Sequence, residues 1–159
     1  MKKSYFLIIP LIVLIVAVSG SLFTSVSMSW YKTINIPPFA PSGQIIGTAW
    51  AIIFTLTAIS AILIWNKAEK NKALKKKLPK LTIIFLLNGA LNIFWTYLFF
   101  TRHLIFYAGI EALILDLSVL FLIGLSWKRF RGSAYLLIPY AVWVLFAAFL
   151  TFNIWYLNR

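Results

Sequence analysis

The sequence predicts an all-α membrane protein, built as a bundle of five transmembrane helices with a proline-rich lid loop between helices 1 and 2. Its composition is the first reason: 62% of the 159 residues are hydrophobic and only 11% are charged, whereas soluble domains carry about 25% charged residues. The second reason is the high mean hydropathy of +0.93. The third reason is that the apolar residues fall into five runs of at least membrane-spanning length.

The five apolar runs lie at residues 5–26, 45–65, 81–100, 104–126 and 134–157. They are predicted to be helices, because lipid cannot hydrogen-bond an exposed backbone and the strands of a barrel would show strict alternation. The first run follows a basic pair and resembles a secretory signal, but it is longer than the apolar part of such a signal. We therefore expect a retained helix and a single domain over residues 1–159.

The connection between the first two runs is rich in proline. Pro37, Pro38 and Pro41 lack a backbone donor and fix φ, so residues 28–43 are predicted to be a stiff loop and not a helix. This loop is unusually apolar and aromatic for a solvated segment. We therefore expect it to fold down over the bundle.

The positive charges are distributed unevenly over the predicted connections. One side of a five-span arrangement receives twelve of them: Lys2, Lys3, the seven lysines of residues 66–80, Lys128, Arg129 and Arg131. The other side receives Lys32, Arg102 and Arg159. By the positive-inside rule the N-terminus is cytoplasmic and the C-terminus outside. The lysine run then faces anionic lipid, which accounts for the net charge of +12 without nucleic acid.

Metal and cofactor chemistry finds little support in the sequence. The chain has no cysteine and a single histidine, which excludes thiolate and multi-histidine metal sites. His103 as a haem ligand is a weaker interpretation than a solvated histidine in a short turn. We predict neither a metal site nor a resident cofactor.

Polar and aromatic side chains recur at helical spacing within three of the runs. They are Asn88, Asn92 and Trp95 in the third run, Tyr140, Trp143 and Ala147 in the fifth, and Trp50 with Phe54 in the second. Such faces suit a flat ligand that is stacked and hydrogen-bonded inside the bundle. They equally suit hydrogen bonds that join one helix to another. The spacing leaves both interpretations open.

Two acidic residues lie within the fourth run. A proton-coupled small-molecule exporter would use intramembrane acids such as Glu111 or Asp116. The alternative is a carboxyl group that is protonated or hydrogen-bonded between helices. Because the two residues are five positions apart, they do not share a helix face well, which disfavours a paired-carboxylate site.

Motifs in the first connection and in the second to fifth runs together resemble one family. Trp30 and Tyr31 precede the proline-rich loop, and the later motifs are GTAW at residues 47–50, LNIFW at 91–95 followed by Phe99 and Phe100, AGIE at 108–111 and LIPYAVWVLFA at 137–147. In this order they resemble the translocator protein family, TspO/MBR, also called the tryptophan-rich sensory proteins. The chain departs from the family pattern at Phe39, Ser42 and Glu111, where the family usually has Trp, Pro and Asp. The family's small-residue dimer motif is also imperfect, since Ile93 follows Gly89 by four residues.

The resemblance implies a homodimeric five-helix receptor or scavenger in a bacterial cell membrane. The ligands of the family are porphyrins, haem, sterols and related flat molecules. We expect Trp50, Trp95 and Trp143 to form flat walls, Asn92 to make a buried polar contact, and Ala147 to leave room for the ligand. Tyr31 and Pro41 would close the top of the pocket. Trp50 and Trp143 match the tryptophans linked to light-dependent porphyrin breakdown in the family, so the resemblance makes them candidate catalytic residues.

Overall fold

The computed structural model describes residues 4–159, so Lys2 and Lys3, on which part of the charge prediction rests, lie outside the described residues. Five long apolar helices, here called the first to fifth spans, run over Tyr5–Val26, Gly43–Glu69, Leu78–Thr101, Ile105–Trp127 and Arg131–Leu157. Each is long enough to cross the hydrocarbon layer of a membrane. No strand occurs in residues 4–159. The predicted all-α bundle of five spans is therefore confirmed.

The five spans form a closed ring in which each helix packs mainly against two others. The first span contacts the second and third, the second also contacts the fifth, and the third also contacts the fourth, which packs against the fifth. The order around the ring is therefore first, second, fifth, fourth, third. The tightest of these contacts joins the fourth and fifth spans, where a side chain at Gly109 would come within 2.7 Å of the Phe152 ring.

Both basic connections lie at one end of the ring. The Lys67 ammonium at the end of the second span donates a 2.7 Å hydrogen bond to the carbonyl of Arg129 in the connection between the fourth and fifth spans. Nearby, the Tyr5 hydroxyl at the start of the first span donates to the Asn66 side chain over 3.4 Å. We call this the lysine-rich end, and the other the proline-loop end.

Several helix boundaries differ from those expected. The second span continues to Glu69, and the connection that follows contains a short helix, Lys72–Lys75, whose first backbone N–H groups are capped by the Asn71 side chain. The third span begins at Leu78 because Pro79 lies in its first turn, where a missing N–H costs nothing. The prediction that residues 28–43 form a loop is wrong for Met28–Tyr31. These residues form a helical turn, because the first proline of the segment comes only at Pro37.

The third span ends in a π-helical turn, Tyr97–Thr101. The Arg102 N–H donates to the carbonyl of Tyr97, five residues earlier, at 3.0 Å. His103 follows with φ of 56°, which is uncommon for a residue other than glycine. π-Helical turns are often found at functional sites.

The first span is the least buried of the five. Ile9 is its single buried residue within Tyr5–Val26. It approaches the third span closely at Gly89, where an added Cβ would lie 3.1 Å from the Val16 side chain. Loose packing of this helix leaves space between it and its two neighbours.

Candidate ligand site inside the helix bundle

A cavity of about 570 Å³ lies between the first, second and third spans. Most of its wall is apolar, formed by side chains such as Ile9, Ile12, Val16, Phe54, Phe85 and Ile93. A volume of this size lies within the range of sites for drug-sized and cofactor-sized ligands, which is about 300–1,000 Å³. The cavity extends from the lysine-rich end to the middle of the bundle.

The mouth of the cavity at the lysine-rich end carries polar groups. Tyr5, Glu69 and Thr82 form part of its wall. The Glu69 carboxylate pairs with the Lys75 ammonium at 3.2 Å. The cavity is therefore polar at its mouth and mostly apolar along the rest of its wall. A ligand with an apolar body and a polar edge would meet both kinds of surroundings.

The deep end of the cavity is closed by a hydrogen-bonded group that joins three spans. The buried Tyr140 hydroxyl donates to the Asn88 side-chain oxygen at 3.1 Å and accepts from the Asn92 amide at 3.2 Å. The Asn88 amide in turn donates to the Ser118 hydroxyl at 2.8 Å. Asn88, Asn92 and Tyr140 all line the cavity. The asparagine side chains therefore join helices through hydrogen bonds, and they also present polar atoms to the cavity.

Two of the predicted site residues are placed at this deep end. Asn92 forms part of the cavity wall. Trp50 lies one layer behind the wall, where its ring stacks on Phe54 at 5.4 Å and meets the edge of Tyr140 at 6.1 Å. Both of those rings line the cavity.

Trp95, Trp143 and Ala147 lie nearer the proline-loop end and do not line the cavity. Trp95 stacks on Phe99 at 5.5 Å, and Trp143 packs against Phe146 at 5.6 Å. The indole N–H groups of Trp95 and Trp143 are buried without a hydrogen-bond partner among residues 4–159. A buried donor of this kind normally has an acceptor, so each indole could hydrogen-bond a ligand that reaches it.

The proline segment, residues 32–42, packs on the end of the fifth span. Phe39 stacks on Phe149 at 5.6 Å. The backbone N–H and carbonyl of Asn35 both bond to the Asn158 side chain at 2.8 Å. These contacts hold the segment against the bundle, although Tyr31 and Pro41 are not part of the cavity wall.

Tyr31 belongs to a cluster of rings at the proline-loop end. Its ring lies 6.2 Å from Phe99 and 5.7 Å from Phe100. Burial raises the pKa of the Tyr31 phenol above its ordinary value, so the group stays neutral at physiological pH. The exposed His103 ring stacks on Trp30 at 3.9 Å. Aromatic side chains therefore pack against one another at this end of the bundle.

Sequence reasoning missed Thr57. This residue lines the cavity, is 8% exposed, and has a buried hydroxyl with no hydrogen-bond partner in the described part of the chain. It follows Trp50 by seven residues and Phe54 by three, so the helical spacing that selected those two residues could also have selected Thr57.

The two acids of the fourth span lie on its buried face, with Glu111 4% and Asp116 7% exposed. Neither residue lines the cavity. Both oxygens of Glu111 and one of Asp116 have no hydrogen-bond partner within residues 4–159. The acids therefore form no part of the cavity wall, so the cavity gives the exporter interpretation no support.

Comparison with known proteins decides the family. The TspO/MBR family profile matches residues 8–157. The chain belongs to the TspO/MBR family. It is 34% identical to the tryptophan-rich protein TspO of Bacillus cereus, over 99% of both chains. Identity to the translocator protein of Ovis aries is 28%, over 82% of this chain and 75% of that one.

A third relative is the uncharacterized membrane protein YtaB of Bacillus subtilis, which is 35% identical over 86% of this chain and 84% of its own. Membership in the TspO/MBR family and the five apolar helices together establish a multi-pass membrane protein. Within the bundle Gly89 faces Val16 of the first span.

Proposed function

We infer that this protein binds a tetrapyrrole, such as a porphyrin, inside the helix bundle. One observation carries the proposal: an apolar cavity of about 570 Å³ ends at the polar side chains of Asn92 and Tyr140, with Trp50 directly behind them. A porphyrin is flat and apolar with carboxylates on one edge. Its ring suits the apolar wall, and its carboxylate edge would face the cavity mouth.

The predicted residues at the proline-loop end belong to the same proposal. A tetrapyrrole in the deep end of the cavity would extend toward Trp95 and Trp143, whose buried indole N–H groups could donate to it. Ala147 would leave room on the fifth span. Tyr31 and Pro41 would close this end as a lid over the ligand.

Light-dependent breakdown of the bound porphyrin is a further part of the proposal. It assigns a role to Trp50 and Trp143, because indole is an easily oxidised ring. The proposal also includes a homodimer in a bacterial cell membrane, with the lysine-rich end in the cytoplasm. The charge distribution supports that orientation.

The experiment is a titration of the purified protein in detergent with protoporphyrin, followed by tryptophan fluorescence. Binding inside the bundle should quench the fluorescence saturably, because the porphyrin would lie close to several indoles. A matched titration of free tryptophan in the same micelles measures the quenching that occurs without a site. A protein curve that is no steeper than this control, and does not saturate, would contradict the proposal.

A further inference from the structure

A second cleft lies at the lysine-rich end, between the end of the second span and the start of the fifth. Its volume is about 310 Å³. The polar part of its wall is formed by Asn66, Lys67, Lys70, Arg131, Gly132 and Ser133. Three basic side chains therefore converge on one small space.

The start of the fifth span adds positive potential to the same cleft. This helix of 27 residues has no side-chain cap and no acidic residue in its first turn. Its first backbone hydrogen bond runs from Ala134 to Phe130, which leaves the N–H groups of the preceding turn without a helical acceptor. Arg131 at such a position is unfavourable unless an anion lies close by.

The protein supplies no such anion. Of its three acidic residues, Glu69 pairs with Lys75, while Glu111 and Asp116 are buried in the fourth span. Ser133 provides a separate indication of a ligand. It is only 3% exposed yet forms part of the cleft wall, and no described residue hydrogen-bonds to its hydroxyl. The cleft thus offers a hydroxyl, free backbone N–H groups and cationic side chains to a tetrahedral oxyanion.

We propose that this cleft binds the phosphate headgroup of an anionic phospholipid in the adjoining leaflet. Leu63 also lines the cleft, is 43% exposed, and lies about 10 Å deeper than Lys70 at 1.5 Å per residue. An acyl chain can therefore run along the second span from a headgroup held at the helix ends. This continuity with the lipid-facing surface favours a phospholipid over free phosphate. The site is separate from the cavity inside the bundle.

Native mass spectrometry of the full-length protein, titrated with phosphatidylglycerol in detergent, tests the site. The Lys70→Gln, Arg131→Gln double variant should bind this lipid about thirtyfold more weakly, since the two basic groups near the surface contribute about 1 kcal/mol each. The matched control is Lys72→Gln, Lys76→Gln. It removes the same charge from exposed positions at the same end, outside the cleft, and should retain wild-type binding.

A variant that leaves the charge unchanged separates shape from general attraction. A Cβ at Gly132 meets no atom within 4 Å, so Gly132→Leu should fold, fill the cleft and reduce lipid binding. An unfolding temperature of Gly132→Leu equal to that of the wild type, measured without lipid, verifies that the variant is folded. Equal losses in the control and cleft double variants, or wild-type binding by Gly132→Leu, would overturn the proposal. Displacement of the lipid by millimolar inorganic phosphate would overturn it in favour of a free-anion site.

Discussion

The hydroxyl of Tyr140 donates a hydrogen bond to the side-chain oxygen of Asn88, 3.1 Å away, and so joins the fifth span to the third. The same hydroxyl accepts from Asn92. Tyr140→Phe should lower the free energy of unfolding by about 1 kcal/mol, because two buried amides lose their partner. Thermal unfolding in detergent measures the change. Tyr135→Phe is the control, since Tyr135 is 52% exposed and makes no hydrogen bond in the described structure; equal stability of the two variants would contradict this account.

The sequence was sufficient to predict the spans, because their length and apolar composition are imposed by the bilayer. It was less informative about their ends. The turn at Met28–Tyr31 and the start at Leu78 depend on local capping and on where proline first occurs. Helical spacing selected Asn92, which lines the cavity, and Trp50, which lies behind the cavity wall. The cavity itself could not be predicted, because it results from the loose packing of the first span in a ring order that no local pattern encodes.

Glu111→Gln tests the separation between the acids and the ligand site. The substitution removes a titratable proton and keeps the size of a side chain that does not line the cavity. Porphyrin affinity should change by no more than about twofold, or 0.4 kcal/mol, and its dependence on pH should match that of the wild type. Fluorescence titrations across the neutral pH range provide the measurement. Loss of binding together with loss of the pH dependence would instead favour the exporter.

The Trp50→Phe, Trp143→Phe double variant separates binding from photochemistry. Affinity should fall only modestly, because an aromatic stacking contact is worth about 0.5–1.5 kcal/mol and phenylalanine retains part of it. Light-driven loss of bound porphyrin should fall much further, because phenylalanine is a poor electron donor. Both quantities are measured on the same preparations under controlled illumination. Equal porphyrin loss by wild type and variant would remove the proposed role of the two tryptophans.

The orientation of the chain can be tested by cysteine labelling, because the protein has no native cysteine. Lys76 is exposed in the lysine-rich connection. A cysteine at this position should resist an impermeant thiol reagent in intact cells and react once the cells are opened. A cysteine at Arg159, at the opposite end, should show the reverse behaviour. Labelling of position 76 in intact cells would show that the lysine-rich end faces outward.

The most direct test of ligand binding inside the bundle is a porphyrin titration of two variants that fill its interior. Ala61→Phe places a ring in the cavity, and Ala147→Phe fills the space proposed beyond its deep end. Val142→Phe, at a 65% exposed position of the fifth span, is the control. We predict that both interior variants raise the dissociation constant at least about tenfold, or 1.4 kcal/mol, while the control and the thermal unfolding of all three stay close to wild type. Wild-type affinity in a folded Ala61→Phe variant would show that the cavity does not hold the ligand.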